Sequence, residues 1–131
     1  MRKYFPLFLI IVVIIFSCKK DSPTNSWNVK YEITCTNPNI KVIVVYRDQT
    51  GGVAEAGSID NYQQLPWSYN NTWSKDPGLM QARSLSLAVG DVEPYIGTDV
   101  MTAKIYVNGK VINQQTYTSG GVFPFLTYVL Q

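Results

Sequence analysis

The chain contains no histidine. That removes the commonest general base and the commonest metal ligand together, and it weighs against acid–base and nucleophilic catalysis before any motif is considered. Charge is scarce and balanced: Asp, Glu, Lys and Arg make up 15% of the 131 residues, eleven basic against nine acidic. No basic patch is visible in the sequence, so nucleic acid is not an expected partner. Long apolar runs are missing too. The one candidate, Tyr4 to Phe16, has thirteen residues, where a transmembrane helix needs ~20. Beyond Phe16 no stretch shows the 3.6-residue apolar period of a helix.

The N-terminus is nonetheless distinctive. Met1-Arg2-Lys3 is a short basic region, Tyr4 to Phe16 an apolar core, and Ser17-Cys18 closes it. This is the pattern of a secretory signal. Ile15-Phe16-Ser17-Cys18 resembles a bacterial lipobox, with an aliphatic residue three before the cysteine and a small one just before it. Residues 1–17 are therefore read as a helical lipoprotein signal peptide and Cys18 as the lipidated residue; an ordinary signal peptide and an uncleaved anchor are the alternatives. Residues 18–26 hold the lipidated cysteine and a polar stretch that reads as a flexible tether. Lys19, rather than aspartate, follows the cysteine, which points to the outer membrane. The expected location is thus the bacterial cell envelope, with the membrane engaged through the lipid. Once Cys18 carries lipid, Cys35 is alone in an oxidising compartment, and its place on an apolar strand face makes it a small buried hydrophobe.

About 105 residues remain after Ser26, enough for one domain, 27–131. Trp27 to Thr36 alternates, with Trp27, Val29, Tyr31, Ile33 and Cys35 on one face and Asn28, Lys30, Glu32 and Thr34 on the other. That is a half-buried strand. Ile40 to Arg47 is β-branched enough for a central strand, whereas Val53 to Ile59 is weak and suits an edge. Leu79 to Val89 carries Leu85, Leu87 and Val89 on one face, and Gly90 to Gly97 reads as a polar loop. Ala103 to Ile112 is the sharpest signal. Asn108-Gly109 demands a type I′ hairpin turn, so Val107 faces Lys110, Tyr106 faces Val111 and Ile105 faces Ile112. Val122 to Leu130 is the last strand, in which Pro124 enforces an edge position or marks a bulge. About seven strands at ten-residue spacing give an all-β, antiparallel β-sandwich, with a barrel as the alternative.

Leu65-Pro66-Trp67-Ser68, followed by Ala103-Lys104-Ile105-Tyr106-Val107-Asn108-Gly109-Lys110-Val111, resembles the MmpS family, the small mycobacterial membrane proteins and their bacterial relatives. Tyr31-Glu32-Ile33-Thr34 and Val44-Val45-Tyr46 sit where that family has strands, so the resemblance spans about Val29 to Phe125. It implies an immunoglobulin-like sandwich outside the cytoplasmic membrane and a role as accessory to RND-type exporters. Two features depart from it. Family members are typically held by a membrane helix rather than a lipobox, and they carry a cysteine pair where this chain has Ala103 and a cysteine-free last strand.

Two further groupings bear on function. Trp67, Tyr69, Asn71 and Trp73 share one face at period two, with Tyr62 nearby. Tyr62, Tyr69 and Trp73 are the candidate binding surface, fit to stack sugars or seat a protein; Trp67 reads as core. Asp60, Asp91, Glu93 and Asp99 fall in loops without the spacing of a calcium site or of a catalytic carboxylate pair. No metal, no cofactor and no enzyme activity are expected. The reading is a non-catalytic protein-interaction module, with glycan binding through the aromatics as the alternative.

Overall fold

The computed structural model describes residues 25–75, 83–93, 97–118 and 123–131. The signal segment, Cys18 and nearly all of the tether lie outside the described residues, as do residues 79–82 at the start of the expected sixth strand. Within them the chain forms nine strands and no helix. They are β1 (Ser26–Cys35), β2 (Lys41–Arg47), β3 (Val53–Ala56), β4 (Gln63–Gln64), β5 (Trp67–Ser74), β6 (Ser84–Glu93), β7 (Met101–Val107), β8 (Lys110–Tyr117) and β9 (Phe125–Val129).

They make two antiparallel sheets, β5-β1-β7-β8 and β3-β2-β6-β9, with β4 pairing β2 beside β3. The all-β sandwich expected from strand spacing is therefore the fold. The strand count rises from about seven to nine because short segments such as β4 carry too few residues for any periodicity to show. β1 starts at Ser26, which pairs with Ser74.

Alternation places the core. Trp27, Val29, Tyr31 and Ile33 of β1 and Met101, Ala103 and Ile105 of β7 point inward from the first sheet. Val42 and Val44 of β2, Leu85, Leu87 and Val89 of β6 and Leu126 of β9 meet them from the second. Every buried residue of this core is apolar or aromatic, so the interior is held by removal of apolar surface from water at roughly 25 cal/mol per Å².

Two register corrections share one cause, an extra residue. In the hairpin Asn108 and Gly109 adopt φ of 50° and 79°, as the type I′ turn requires. Val107 faces Lys110 and Tyr106 faces Val111, but Ile105 faces Asn113, because a bulge inserts Ile112. In the second sheet β6 does not stop at Gly90. Ile43 pairs with Asp91 and Val44 with Val89, so Gly90 is the inserted residue and the strand runs on to Glu93. The bulge flips the parity, and Val92 then packs against the core. A polar, glycine-containing stretch conceals a strand in this way.

Candidate functional site

The sandwich closes differently at its two sides. At one side β8 and β9 are the outer strands of their sheets. Asn113 Nδ2 donates to the Thr127 carbonyl at 2.8 Å, and the Phe125 N–H donates to Gln115 Oε1 at 3.0 Å. Side-chain amides thus occupy backbone groups that β9 would otherwise leave unpaired.

At the other side β5 and β3 are outermost, and aromatic rings fill the gap. Tyr69 stacks on Tyr31 with centroids 6.2 Å apart, Tyr46 lies 4.7 Å from Tyr69, and Trp67 lies 5.5 Å from Tyr46. Tyr31 is fully buried and donates its hydroxyl to the Arg47 carbonyl at 2.9 Å. Tyr46, Trp67 and Tyr69 are half-buried. The turn after β2 reaches across this side. Asp48 braces it by accepting from the Thr50 hydroxyl and from the Thr50 and Gly52 N–H groups. Gln49 then offers its side-chain oxygen to the Tyr69 hydroxyl at 2.8 Å and to the Asn71 amide.

The candidate binding residues do not assemble as expected. Trp73 is 0% exposed and belongs to the core, which corrects its assignment to a binding surface. It sits opposite Trp27 on the inner face at the far end of β5 from Trp67, where the second sheet covers it. Tyr62 lies elsewhere and donates its hydroxyl to Asp91 Oδ2 at 2.8 Å. Only Tyr69 stays at an open margin, and its sequence partner there is Trp67, partly buried and packed against the core as expected. Sequence reasoning missed Tyr46 as a member of the cluster. The signal was present, since Ile40, Val42, Val44 and Tyr46 share a face and only the last is polar-tipped and next to a turn.

The groups whose titration is shifted are tyrosine hydroxyls and carboxylates. Burial pushes the Tyr31 hydroxyl above the usual tyrosine range, and burial raises Tyr46 too. The Asp91 carboxylate raises Tyr62, and Asp91 itself is lowered, first by the Tyr62 hydrogen bond. On the outer face of the first sheet Lys30 lowers Glu32 through their ion pair, and Glu32 in turn raises Tyr106 by accepting its hydroxyl at 2.8 Å. Such tyrosines stay protonated at neutral pH and act as hydrogen-bond donors, acceptors and stacking surfaces. Among the described residues no group of three or more acidic, cysteine or histidine side chains is placed to hold a metal.

The two outer faces are unlike. The first sheet shows water Asn28, Lys30, Glu32 and Thr34 from β1 between Asn70 and Thr72 of β5 and Lys104 and Tyr106 of β7. This is the polar outside of a normal sandwich. It carries an open depression of about 460 Å³ lined by Asn28, Lys30, Asn70, Thr72 and Tyr106. The second sheet breaks the rule. Val45, Ala88 and Phe125 form one outward row across β2, β6 and β9, and Ile43 lies beside it. Phe125 is 64% exposed, Val129 60%, Val53 68% and Ile59 78%. An open depression of about 570 Å³ lies between Ile43, Val45, Ile59 and Gly90, with Glu55, Asp60 and Asp91 at its rim.

The chain matches no protein-family model and no curated protein sequence.

Proposed function

We propose that this chain is a non-catalytic, lipid-anchored module of the bacterial envelope whose second sheet seats a protein partner. The observation that carries the reading is the apolar outward row Val45–Ala88–Phe125 with exposed Ile59, Val53 and Val129 around it. A solvated sheet face is polar, as the first sheet is, and contiguous exposed apolar side chains mark contact surfaces. The acidic rim from Glu55, Asp60 and Asp91 gives that surface the polar border of a transient interface. Anchorage at Cys18 and an outer-membrane address rest on the lipobox-like segment and on Lys19. The resemblance to the MmpS family supports a partner of one kind, an RND-type export complex.

Affinity capture of the lipidated protein from its own envelope after mild cross-linking tests this, with Phe125→Asp as the paired variant. Recovery of an exporter component that falls at least about tenfold in the variant is expected, since an interface aromatic commonly carries ~2 kcal/mol or more. Equal recovery with both proteins overturns the surface, and recovery of lipid alone overturns the partner.

A second reading, glycan binding, draws on the depression of the first sheet, where the Tyr106 ring stands among the Asn28, Asn70 and Thr72 polar groups. Aromatic stacking with amide and hydroxyl partners suits a sugar. A polysaccharide array in which wild type binds and Tyr106→Ala does not would move the function there.

A further inference from the structure

The depression on the second sheet has an open apolar floor, a fixed wall and a rim of one charge sign. The floor is Ile43 and Val45 of β2, and it lies bare because the bulge in β6 falls on a glycine. A Cβ at Gly90 would stand 3.4 Å from Val45 Cγ2 and 3.8 Å from Ile43 Cγ2, over both side chains. Gly90 is not among the residues of positive φ, so a side chain here would meet ordinary contacts without a backbone penalty. The wall is the turn from Ser58 to Asn61. The Ser58 N–H donates to the Asn61 carbonyl at 3.0 Å, and the Asn61 N–H donates to the Ser58 carbonyl at 2.9 Å. Those two bonds fix the tip, which shows Ile59 and Asp60 to water.

The rim takes one carboxylate from each of three segments: Glu55 from β3, Asp60 from the turn and Asp91 from β6. Asp91 is held in place, one oxygen accepting the Tyr62 hydroxyl and the other the Val92 N–H, both at 2.8 Å. No cation lines the depression. Lys41 lies beyond Ile43, opposite Glu93, and Arg47 turns to the Gly51 carbonyl. Among the described residues the one ion pair is Lys30 with Glu32, on the other sheet.

We infer that the partner of the second sheet seats a lysine side chain in this depression, its stem on Ile43, Val45 and Ile59 and its ammonium among Glu55, Asp60 and Asp91. The inference rests on the reading of this sheet as a partner-binding face and gives that partner its chemistry. Lysine is apolar along its stem and charged at its tip, and an aliphatic floor under a carboxylate rim is the complement of both parts. Arginine fits less well. Its planar fork is matched by one carboxylate taken bidentately, whereas an ammonium directs three donors from a single point toward carboxylates that come from three segments. A second copy fits worst, because a two-fold contact over this patch would bring carboxylates against carboxylates.

Carbodiimide coupling in the native envelope is the test, because it joins a carboxylate to an amine only where the two touch. The full-length lipidated protein is then purified and its joined peptides are read by mass spectrometry. The expected result is Glu55 or Asp60 joined to a lysine of one envelope protein, with a yield that falls at least about tenfold in Gly90→Leu, whose side chain fills the floor. Affinity capture of that same protein should fall comparably in Glu55→Gln/Asp60→Asn and lose its salt dependence there, with the circular dichroism spectrum unchanged. Absence of a joined lysine in the wild type overturns the inference. Coupling to the amine of a lipid headgroup overturns it in favour of the membrane surface. Capture that drops in Phe125→Asp but in neither of the other variants overturns the lysine and leaves the contact face standing. Capture unchanged in all three removes the contact face itself, and the lysine with it.

Discussion

Trp73 is the largest fully buried side chain of the domain, and it takes a polar atom inside with it. Among the described residues its indole Nε1 has no hydrogen-bond partner, a situation that costs about 1–3 kcal/mol for a buried donor. The ring must therefore contribute more through packing than the N–H forfeits. Truncation should be severe and aromatic replacement mild. In urea denaturation Trp73→Ala is expected to lose about 3–5 kcal/mol, Trp73→Phe much less, and Tyr69→Ala less than Trp73→Ala, because Tyr69 is only half-buried. A small loss in Trp73→Ala would return this residue to the surface. The contrast also shows what the sequence held. Parity alone puts Trp67, Tyr69, Asn71 and Trp73 on one face. Which end of that face is covered depends on where the second sheet lies and on a turn from β2 that carries Gln49 to Tyr69, and neither is a local property. Tyr46 was hidden for the same reason: its contacts at 4.7 Å and 5.5 Å are with residues more than twenty positions away.

At the scale of elements, local chemistry and tertiary pairing divide the credit. The hairpin between β7 and β8 was legible because its turn has a stereochemical requirement that only a few residues meet. Gly109 adopts φ +79°, and a Cβ added there would meet nothing within 4 Å. The cost of a side chain is thus conformational rather than steric. Gly109→Val should destabilise the domain by about 1–2 kcal/mol, the penalty of the left-handed region for an ordinary residue, and Gly109→Asn by less, since asparagine tolerates that region. Thermal unfolding of the two variants checks the ordering; equal losses would mean that space, not backbone angle, limits the position. The continuation of β6 to Glu93 was illegible by contrast. A bulge at Gly90 interrupts the alternation on which a strand is recognised, and only pairing with Lys41, Val42 and Ile43 restores it. Edge protection likewise belongs to this scale. Asn113 and Gln115 read as exposed polar residues in sequence, yet they bond the backbone of β9, and on β5 the Asn71 side chain accepts the Thr72 N–H in the same way.

For the molecule as a whole, the decisive feature is the apolar row of the second sheet, set among Ser84, Ser86, Thr127 and Glu55, and the anchorage proposed at Cys18 would give that row a use. A sandwich free in solution gains nothing by showing Phe125 and Ile59 to water and risks association. Tethered to a membrane beside a fixed partner, it can keep such a face covered, and the tether supplies the effective concentration that a modest interface needs. This argument stands or falls with Cys18. Cys18 closes a thirteen-residue apolar run, so under the proposed lipid anchorage Cys18→Ala should do one of two things. The domain leaves the membrane fraction as a processed soluble protein, or the uncleaved precursor accumulates with its signal segment intact. Fractionation combined with intact-mass measurement separates these outcomes, and both support lipid anchorage, because each couples cleavage or retention to the thiol. A mutant that is cut at the same place and still sediments with the membrane would show that something other than lipid holds it. Attachment would then pass to the apolar second sheet, and Cys18→Ala combined with Phe125→Asp should release the protein where Cys18→Ala alone does not.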